Sequence, residues 1–200
     1  MTNHYYTEQP DLPHEVEEWS FELKGKTFRF LTDRGVFSRK TVDFGSRVLI
    51  EAFEWKTLPP GRILDVGCGY GPIGLALAAS SGHLVEMVDV NQRAVALAKE
   101  NAKKNNLTAV SIHSSNVYET LEASEYAAIV SNPPIRAGKK VVHHILSGAY
   151  PLLKEGGTLT VVIQKKQGAP SAEKKMLDVF GNVEIVTKEK DYYILKSVKE

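Results

Sequence analysis

The sequence predicts an α/β domain built on a doubly wound, mostly parallel sheet, with an antiparallel last strand and a small β-hairpin at the amino end. Three observations carry that expectation. From residue 62 to residue 181, apolar strand-like runs alternate with helical ones, the order that a parallel sheet covered on both faces requires. A glycine-rich turn, with Gly67, Gly69 and Gly71, joins the first of those strands to its helix. The last two strand-like runs, "VEIVT" and "YYILKSV", are joined by only a few residues. That is too short for a parallel crossover, so the final strand must run antiparallel to its neighbour.

Each element follows from local pattern. Residues 1–15 are polar, carry Pro10 and Pro13, and read as a loose tail. "WSFELKG" and "KTFRFLTD" alternate apolar and polar residues about Gly25, a hairpin with Phe21 and Leu23 on one strand and Phe28 and Phe30 on its partner. "SRVLIEAFEW" has helical spacing, and Pro59-Pro60-Gly61 is expected to end it. "RILDVG", "LVEMVDV", "AVSIHSS", "YAAIVSN" and "TLTVVIQ" read as strands. "PIGLALAAS", "NQRAVALAKENAKKNN", "KKVVHHILSGAYPLLK" and "SAEKKMLDVFG" read as helices, with Asn91 and Ser171 as expected caps. The tail and hairpin are expected to occupy residues 1–37, and the main domain residues 38–200.

Composition narrows the function classes. The chain has 200 residues, 42% of them hydrophobic and 24% charged, enough for one well-buried core. Its formal net charge is +1, so no overall polycation is available and any nucleic-acid surface must be local. The single cysteine, Cys68, excludes an internal disulfide framework and suits a reducing compartment. No apolar run approaches membrane-spanning length, and the start has neither an apolar signal core nor a basic leader. A cytoplasmic location with no membrane partner is therefore expected.

In such a sheet, ligands bind beyond the carboxyl ends of the strands, near the point where strand order reverses. The loop "LDVGCGYGPIG" falls at one of those ends. Its glycines let a ligand approach the backbone closely. Asp65 stands two residues before the first glycine, where a carboxylate repels a pyrophosphate but suits a ligand with an ammonium group. That points to S-adenosylmethionine rather than NAD. Asp89, about 20 residues beyond the loop, is placed to accept hydrogen bonds from ribose hydroxyls, which fits either cofactor. Asn116 offers an acceptor and donors to an adenine edge, and Val117 an apolar surface for its ring. Finally, "SNPPIRAGKK" ends a buried strand in a stiff turn, because Pro133 and Pro134 donate no backbone hydrogen bonds and Pro133 holds Asn132 extended.

The combination "DVGCGYG…VDVN…SSNVYE…SNPP" resembles a class I S-adenosylmethionine-dependent methyltransferase of the methyltransferase small family, whose members include the small-subunit ribosomal RNA guanine-N2 methyltransferases of the RsmC type. "GVFSRKTVDFGSRVLIEAF" is also similar to that family. The resemblance covers roughly residues 17–200 and implies a Rossmann-like sheet of seven strands. It also implies that the Asn132 side-chain oxygen and the Pro133 carbonyl accept hydrogen bonds from an amine, with Pro134 helping to fix the carbonyl. S-adenosylhomocysteine would be the product, and no metal is needed. Asp43, Gly45 and Ser46 lie where the family's amino-terminal segment closes over the cofactor, although capping of a helix by Asp43 explains them nearly as well.

This chain departs from the pattern in two ways. Ile135 stands where amino-methyltransferases usually carry Tyr or Phe to stack on the target base, and the RsmC-type enzymes have a second related half that precedes the catalytic one. Ile135, Arg136 and Lys139 are the expected substrate contacts, with Lys140, Lys165 and Lys166 extending a patch for RNA phosphates. His143 and His144 are adjacent on a helix and make a poor metal pair. The expected reaction is methyl transfer to an exocyclic nitrogen, foremost guanine N2 of ribosomal RNA. Adenine or a protein glutamine as acceptor stays open, as does a non-catalytic module that binds cofactor and RNA or a partner. Monomer and homodimer both remain open.

Overall fold

The computed structural model describes residues 13–121 and 126–200, so most of the expected tail lies outside the described residues. Strands β1 (Glu17–Leu23) and β2 (Lys26–Thr32) form a two-stranded antiparallel sheet in which Trp19 pairs with Phe30 and Phe21 with Phe28. Helix α1 (Phe44–Ala52) follows. The chain then alternates through β3 (Ile63–Val66), α2 (Pro72–Ser81), β4 (Val85–Asp89), α3 (Gln92–Lys104), β5 (Val110–Ser114), β6 (Tyr126–Ser131), α4 (Lys139–Leu152), β7 (Leu153–Gln164), α5 (Ala169–Phe180), β8 (Glu184–Glu189) and β9 (Tyr192–Val198). The main sheet has seven strands in the order β5-β4-β3-β6-β7-β9-β8. β9 lies between β7 and β8 and runs antiparallel to both; every other pairing is parallel. The predicted Rossmann-like architecture is the observed one.

Strand periodicity divides the core between two faces. Ile63 of β3 packs with the face covered by α1, α2, α3 and the hairpin, and its neighbour Leu64 with the face covered by α4 and α5. Because both faces are covered, β3 and β6 are buried throughout. Strand order reverses between β3 and β6, so the loops leaving those two strands emerge side by side.

Three boundaries differ from expectation. α1 stops at Ala52 rather than at the prolines, because Phe53 turns extended and buries its ring in the core. β7 begins at Leu153, with a register irregularity before its regular pairing from Thr158. Ser171 does not cap α5, which starts at Ala169 after Gly168. Pro170 is tolerated in the first turn, and the Ser171 hydroxyl instead lies 3.1 Å from His143 Nε2. Asn91 does cap α3, accepting from the Arg93 and Ala94 amides.

The hairpin and the segment after it are tied to the loops at the carboxyl end of the sheet by Asn101, Tyr70, Asn91 and Arg93. Asn101 of α3 accepts from the Leu31 amide and donates to the carbonyls of Leu31 and Tyr70. Tyr70, inside the glycine loop, packs its ring on Trp19 and Phe30 at 5.9 and 5.5 Å. Asn91 and Arg93 donate to the carbonyls of Gly35 and Arg34. These contacts lay the segment after β2 across the end of the sheet.

Candidate active site

The loops after β3, β4, β5 and β6 border an open cleft with two lobes that share Gly67, Asp89 and Asn132. In the glycine loop, Gly67, Gly69 and Gly71 all have positive φ (73°, 58° and 103°), a backbone that side chains rarely adopt. Four of its five amides are already used. Gly67 and Cys68 donate to the Val88 carbonyl, Gly69 to Asp89 Oδ2, and Gly71 to the Cys68 carbonyl. The loop therefore presents a shaped backbone surface rather than a nest of free N–H groups for phosphate.

Asp89 takes one backbone amide on each oxygen, from Gly69 and Asn91, both at 2.8 Å. A carboxylate offers about four lone-pair positions, so acceptor capacity remains on the cleft side. Asp65 is fully buried beneath the loop and is not on the cleft wall. Its Oδ2 accepts from the Gly74 amide at 2.8 Å, its Oδ1 has no hydrogen-bond partner, and burial pushes its pKa up to about 7. Cys68 lines the first lobe, but burial raises its thiol well above the usual range, so it is a packed thiol and no nucleophile.

The second lobe is mainly apolar, lined by Val66, Val88, Val117, Val141 and Ile145. Val117 has φ +53°, uncommon for a β-branched residue, with its carbonyl held by the Ser115 hydroxyl at 2.9 Å. Asn116 lines the same lobe, exposed, and donates to Glu119.

Asn132 joins the lobes to a third pocket, lined by Pro133, Ile135, Arg136, Phe37 and Tyr192. Its amide Nδ2 donates to Asp43 Oδ2 at 2.8 Å and to Ser46 Oγ at 3.0 Å. A carboxylate can only accept, so the amide nitrogen must face Asp43, and Oδ1 is left free to accept. Asp43 also caps α1 through the Ser46 amide, so capping and holding the Asn132 side chain are one arrangement rather than rival explanations. Gly45 matters for a different reason: a Cβ there would lie 2.9 Å from the Tyr192 ring. The Pro133 carbonyl accepts no hydrogen bond among the described residues, since the short turn that follows is closed by the carbonyls of Pro134 and Ile135.

Arg136, Lys139, Lys140, Lys165 and Lys166 are exposed and make no ion pair among the described residues. His143 and His144 face different elements: the first meets Ser171, the second packs on Tyr118. Among the described residues no cluster suited to a metal occurs, and no helix is long and apolar enough to cross a membrane. No local pattern announces the Asp43–Asn132 bond, or the Phe37 and Tyr192 rings beside Pro133. Both depend on contacts between distant parts of the chain.

The family model for the methyltransferase small domain matches residues 27–196. The chain is 51% identical to the uncharacterized protein YbxB of Bacillus subtilis over the full length of both. It is 31% identical to the ribosomal RNA small subunit methyltransferase C of Erwinia tasmaniensis, over 82% of this chain and 48% of that one. Among solved structures, it superimposes with a TM-score of 0.84 at 28% identity on the T. thermophilus 16S rRNA N2 G1207 methyltransferase (RsmC) in complex with AdoMet and guanosine, covering 96% of this chain and 52% of that one. The chain thus spans about half the length of the ribosomal RNA methyltransferases it matches.

Proposed function

The chain belongs to the methyltransferase small domain family, and from that premise we propose that it methylates guanine N2 of ribosomal RNA at the expense of S-adenosylmethionine. The observation that carries this reading is the orientation of Asn132, with its nitrogen held by Asp43 and Ser46 and its oxygen free beside the free Pro133 carbonyl.

The residues present fit the cofactor. A glycine loop with four of its five amides satisfied and a carboxylate beneath it suits a sulfonium amino acid better than a pyrophosphate. Asp65 sits behind the loop rather than on the cleft wall, so it supports the loop through the Gly74 amide and is not itself a ligand contact. Asp89 retains acceptor sites for ribose hydroxyls, and Asn116 and the strained Val117 border an apolar lobe suited to adenine. When bound, S-adenosylmethionine supplies an electrophilic methyl group on its sulfur.

The protein's own contribution is to prepare the acceptor. An exocyclic amine conjugated to a purine ring is a poor nucleophile because its lone pair is delocalised. Asn132 Oδ1 and the Pro133 carbonyl each accept one of its two N–H bonds, which localises the lone pair and aims it into the cleft. Pro133 and Pro134 restrict the backbone, and Asp43 and Ser46 restrict the amide, so the acceptors are in place before the amine arrives. Arg136, Lys139, Lys140, Lys165 and Lys166 leave unpaired positive charge for the phosphates of an RNA acceptor.

Guanine is preferred over other amines because the T. thermophilus relative, named for N2 methylation, was solved with guanosine. The test is nucleoside mass spectrometry of ribosomal RNA from cells with and without the gene. Loss of N2-methylguanosine at a defined position is expected; an unchanged N2-methylguanosine content with loss of N6-methyladenosine would refute the assignment.

A further inference from the structure

Building on the RNA reading above, we infer that Phe37 and Tyr192 supply the aromatic surface on which the acceptor base stacks, in place of the aliphatic Ile135. Both rings line the pocket that holds Asn132, Pro133, Ile135 and Arg136. An amine presented to Asn132 Oδ1 and the Pro133 carbonyl puts its purine ring in that pocket, where a flat apolar face is needed. Ile135, directly after the prolines, offers no such face.

The fold positions each ring: Tyr192 is half-buried against the core, and Phe37 stands outside it. Phe37 is 48% exposed and has no aromatic partner among the described residues, yet it follows Val36, which is 2% exposed and anchors the segment to the core. The carbonyls of Arg34 and Gly35 are held by Arg93 and Asn91, so the exposed ring rides on a fixed backbone. Exposed at the mouth of the pocket, the ring is open to a ligand that enters there.

Tyr192 opens β9 after a two-residue turn in which Lys190 and Asp191 both have positive φ (44° and 68°), the geometry of a tight hairpin. The Lys165 amide donates to the Asp191 carbonyl at 2.7 Å and fixes that turn to the end of β7. The Tyr192 ring rests against the Gly45 backbone and leans on Phe44 at 5.5 Å, and its hydroxyl makes no hydrogen bond among the described residues. Gly45 thus makes room for the ring on the same turn from which Asp43 holds Asn132. The stacking surface and the amine acceptors share one support.

The test uses the full chain, unmodified ribosomal RNA and tritium-labelled S-adenosylmethionine. RNA KM and kcat are measured alongside RNA binding to the S-adenosylhomocysteine complex and cofactor affinity. Phe37→Ala and Tyr192→Ala should each raise RNA KM and RNA Kd about tenfold, in the range of one lost base–aromatic contact. For Tyr192→Ala, cofactor affinity should stay within about twofold of wild type, since Tyr192 lines neither lobe of the cofactor cleft. Phe37 also borders the first lobe, so for Phe37→Ala the loss of RNA affinity is measured at saturating S-adenosylhomocysteine. Phe37→Trp and Tyr192→Phe keep a ring and should restore most of the loss.

Melting curves identify a variant that fails to fold, and the exposed Phe37 keeps the test decisive if Tyr192→Ala does so. If wild type methylates RNA and the alanine variants keep its KM and Kd, the stacking surface is wrong while the RNA reading stands. Wild-type transfer to protein alone, or to neither, overturns the RNA reading and the stacking surface together.

Discussion

The two sides of Asn132 are built in opposite ways. On the cofactor side, the loop Gly67–Gly71 has four of its five amides satisfied by Val88, Asp89 and Cys68, all within one strand–helix–strand unit. On the acceptor side, nothing is local. Asn132 is gripped by Asp43, 89 residues away in sequence, and by Ser46, 86 residues away, while the pocket walls come from the segment before α1 and from the start of β9. The glycine loop is shaped mainly by its own backbone, although Phe37, Asp43 and Ser46 also wall the first lobe. The acceptor side exists only when the hairpin segment and the last strand are docked, so losses there should fall more heavily on the acceptor than on the cofactor.

The sharpest way to break the comparison is at the shared residue. Asn132→Ala removes one preorganised acceptor and should lower kcat roughly a hundredfold or more. Cofactor affinity, measured by titration calorimetry, should change far less, because Asn132 adds only one side chain to a cleft shaped by backbone. Next in size is Asp43→Ala, which touches no reacting atom but frees the Asn132 amide to rotate. We expect kcat to fall about tenfold with RNA KM little changed, and the lost cap to cost about 1 kcal/mol in a denaturant titration. Asp43→Asn keeps an acceptor at both contacts and should recover most of the turnover, which a purely structural role for the carboxylate charge would not allow.

A matched pair of glycine substitutions separates the sides more finely. Gly45→Ala puts a methyl 2.9 Å from the Tyr192 ring and should raise RNA KM several-fold while sparing cofactor affinity. Gly74→Ala puts one 2.7 Å from buried Met87, beneath the cofactor loop, and should cost about 1–3 kcal/mol of stability with weaker cofactor binding. Swapped outcomes would show that the two sides are not independent.

Smallest in its effect on turnover is a pH dependence seated under the loop. Burial lifts the Asp65 pKa from 3.8 unfolded to about 7 folded. The unfolded chain therefore ionises first as pH rises: Asp65 costs no stability below its unfolded pKa, and its cost grows until pH passes about 7. In urea titrations, wild type should lose stability relative to Asp65→Asn between about pH 4 and pH 7, and the difference should level off above that. A difference that does not vary with pH would mean that the carboxyl titrates normally.

How much was readable beforehand follows the same division. The glycine loop, Asp89, the Asn91 cap and the Asn-Pro-Pro turn are legible because residue type and position at a strand end announce them, even where the partner, as for Gly69 and Asp89, lies 20 residues away. Strand alternation between β3 and β7 was equally plain, since a doubly covered parallel sheet leaves continuous apolar runs. The end of α1 was misread because Phe53 leaves the helix to fill the core, a demand of packing that no breaker residue announces. Ser171 looked like a cap because its type suits one, but Gly168 and Pro170 start α5 earlier. Asp43 and Ser46 were readable only as a helix start, because the amide they hold lies on another strand. Ile135 suggested a missing aromatic for the same reason: Phe37 and Tyr192 reach that pocket only through tertiary contacts.

The central claim is that Asn132, held by Asp43 and Ser46, presents an acceptor to an exocyclic amine of RNA. It is tested most directly by incubating wild type and Asn132→Ala with labelled S-adenosylmethionine and unmodified ribosomal RNA, then digesting the RNA to nucleosides. Wild type should place label in N2-methylguanosine, and Asn132→Ala should place roughly a hundredth as much or less while binding the cofactor normally. Equal labelling by the two proteins, or label confined to N6-methyladenosine or to protein, would contradict it.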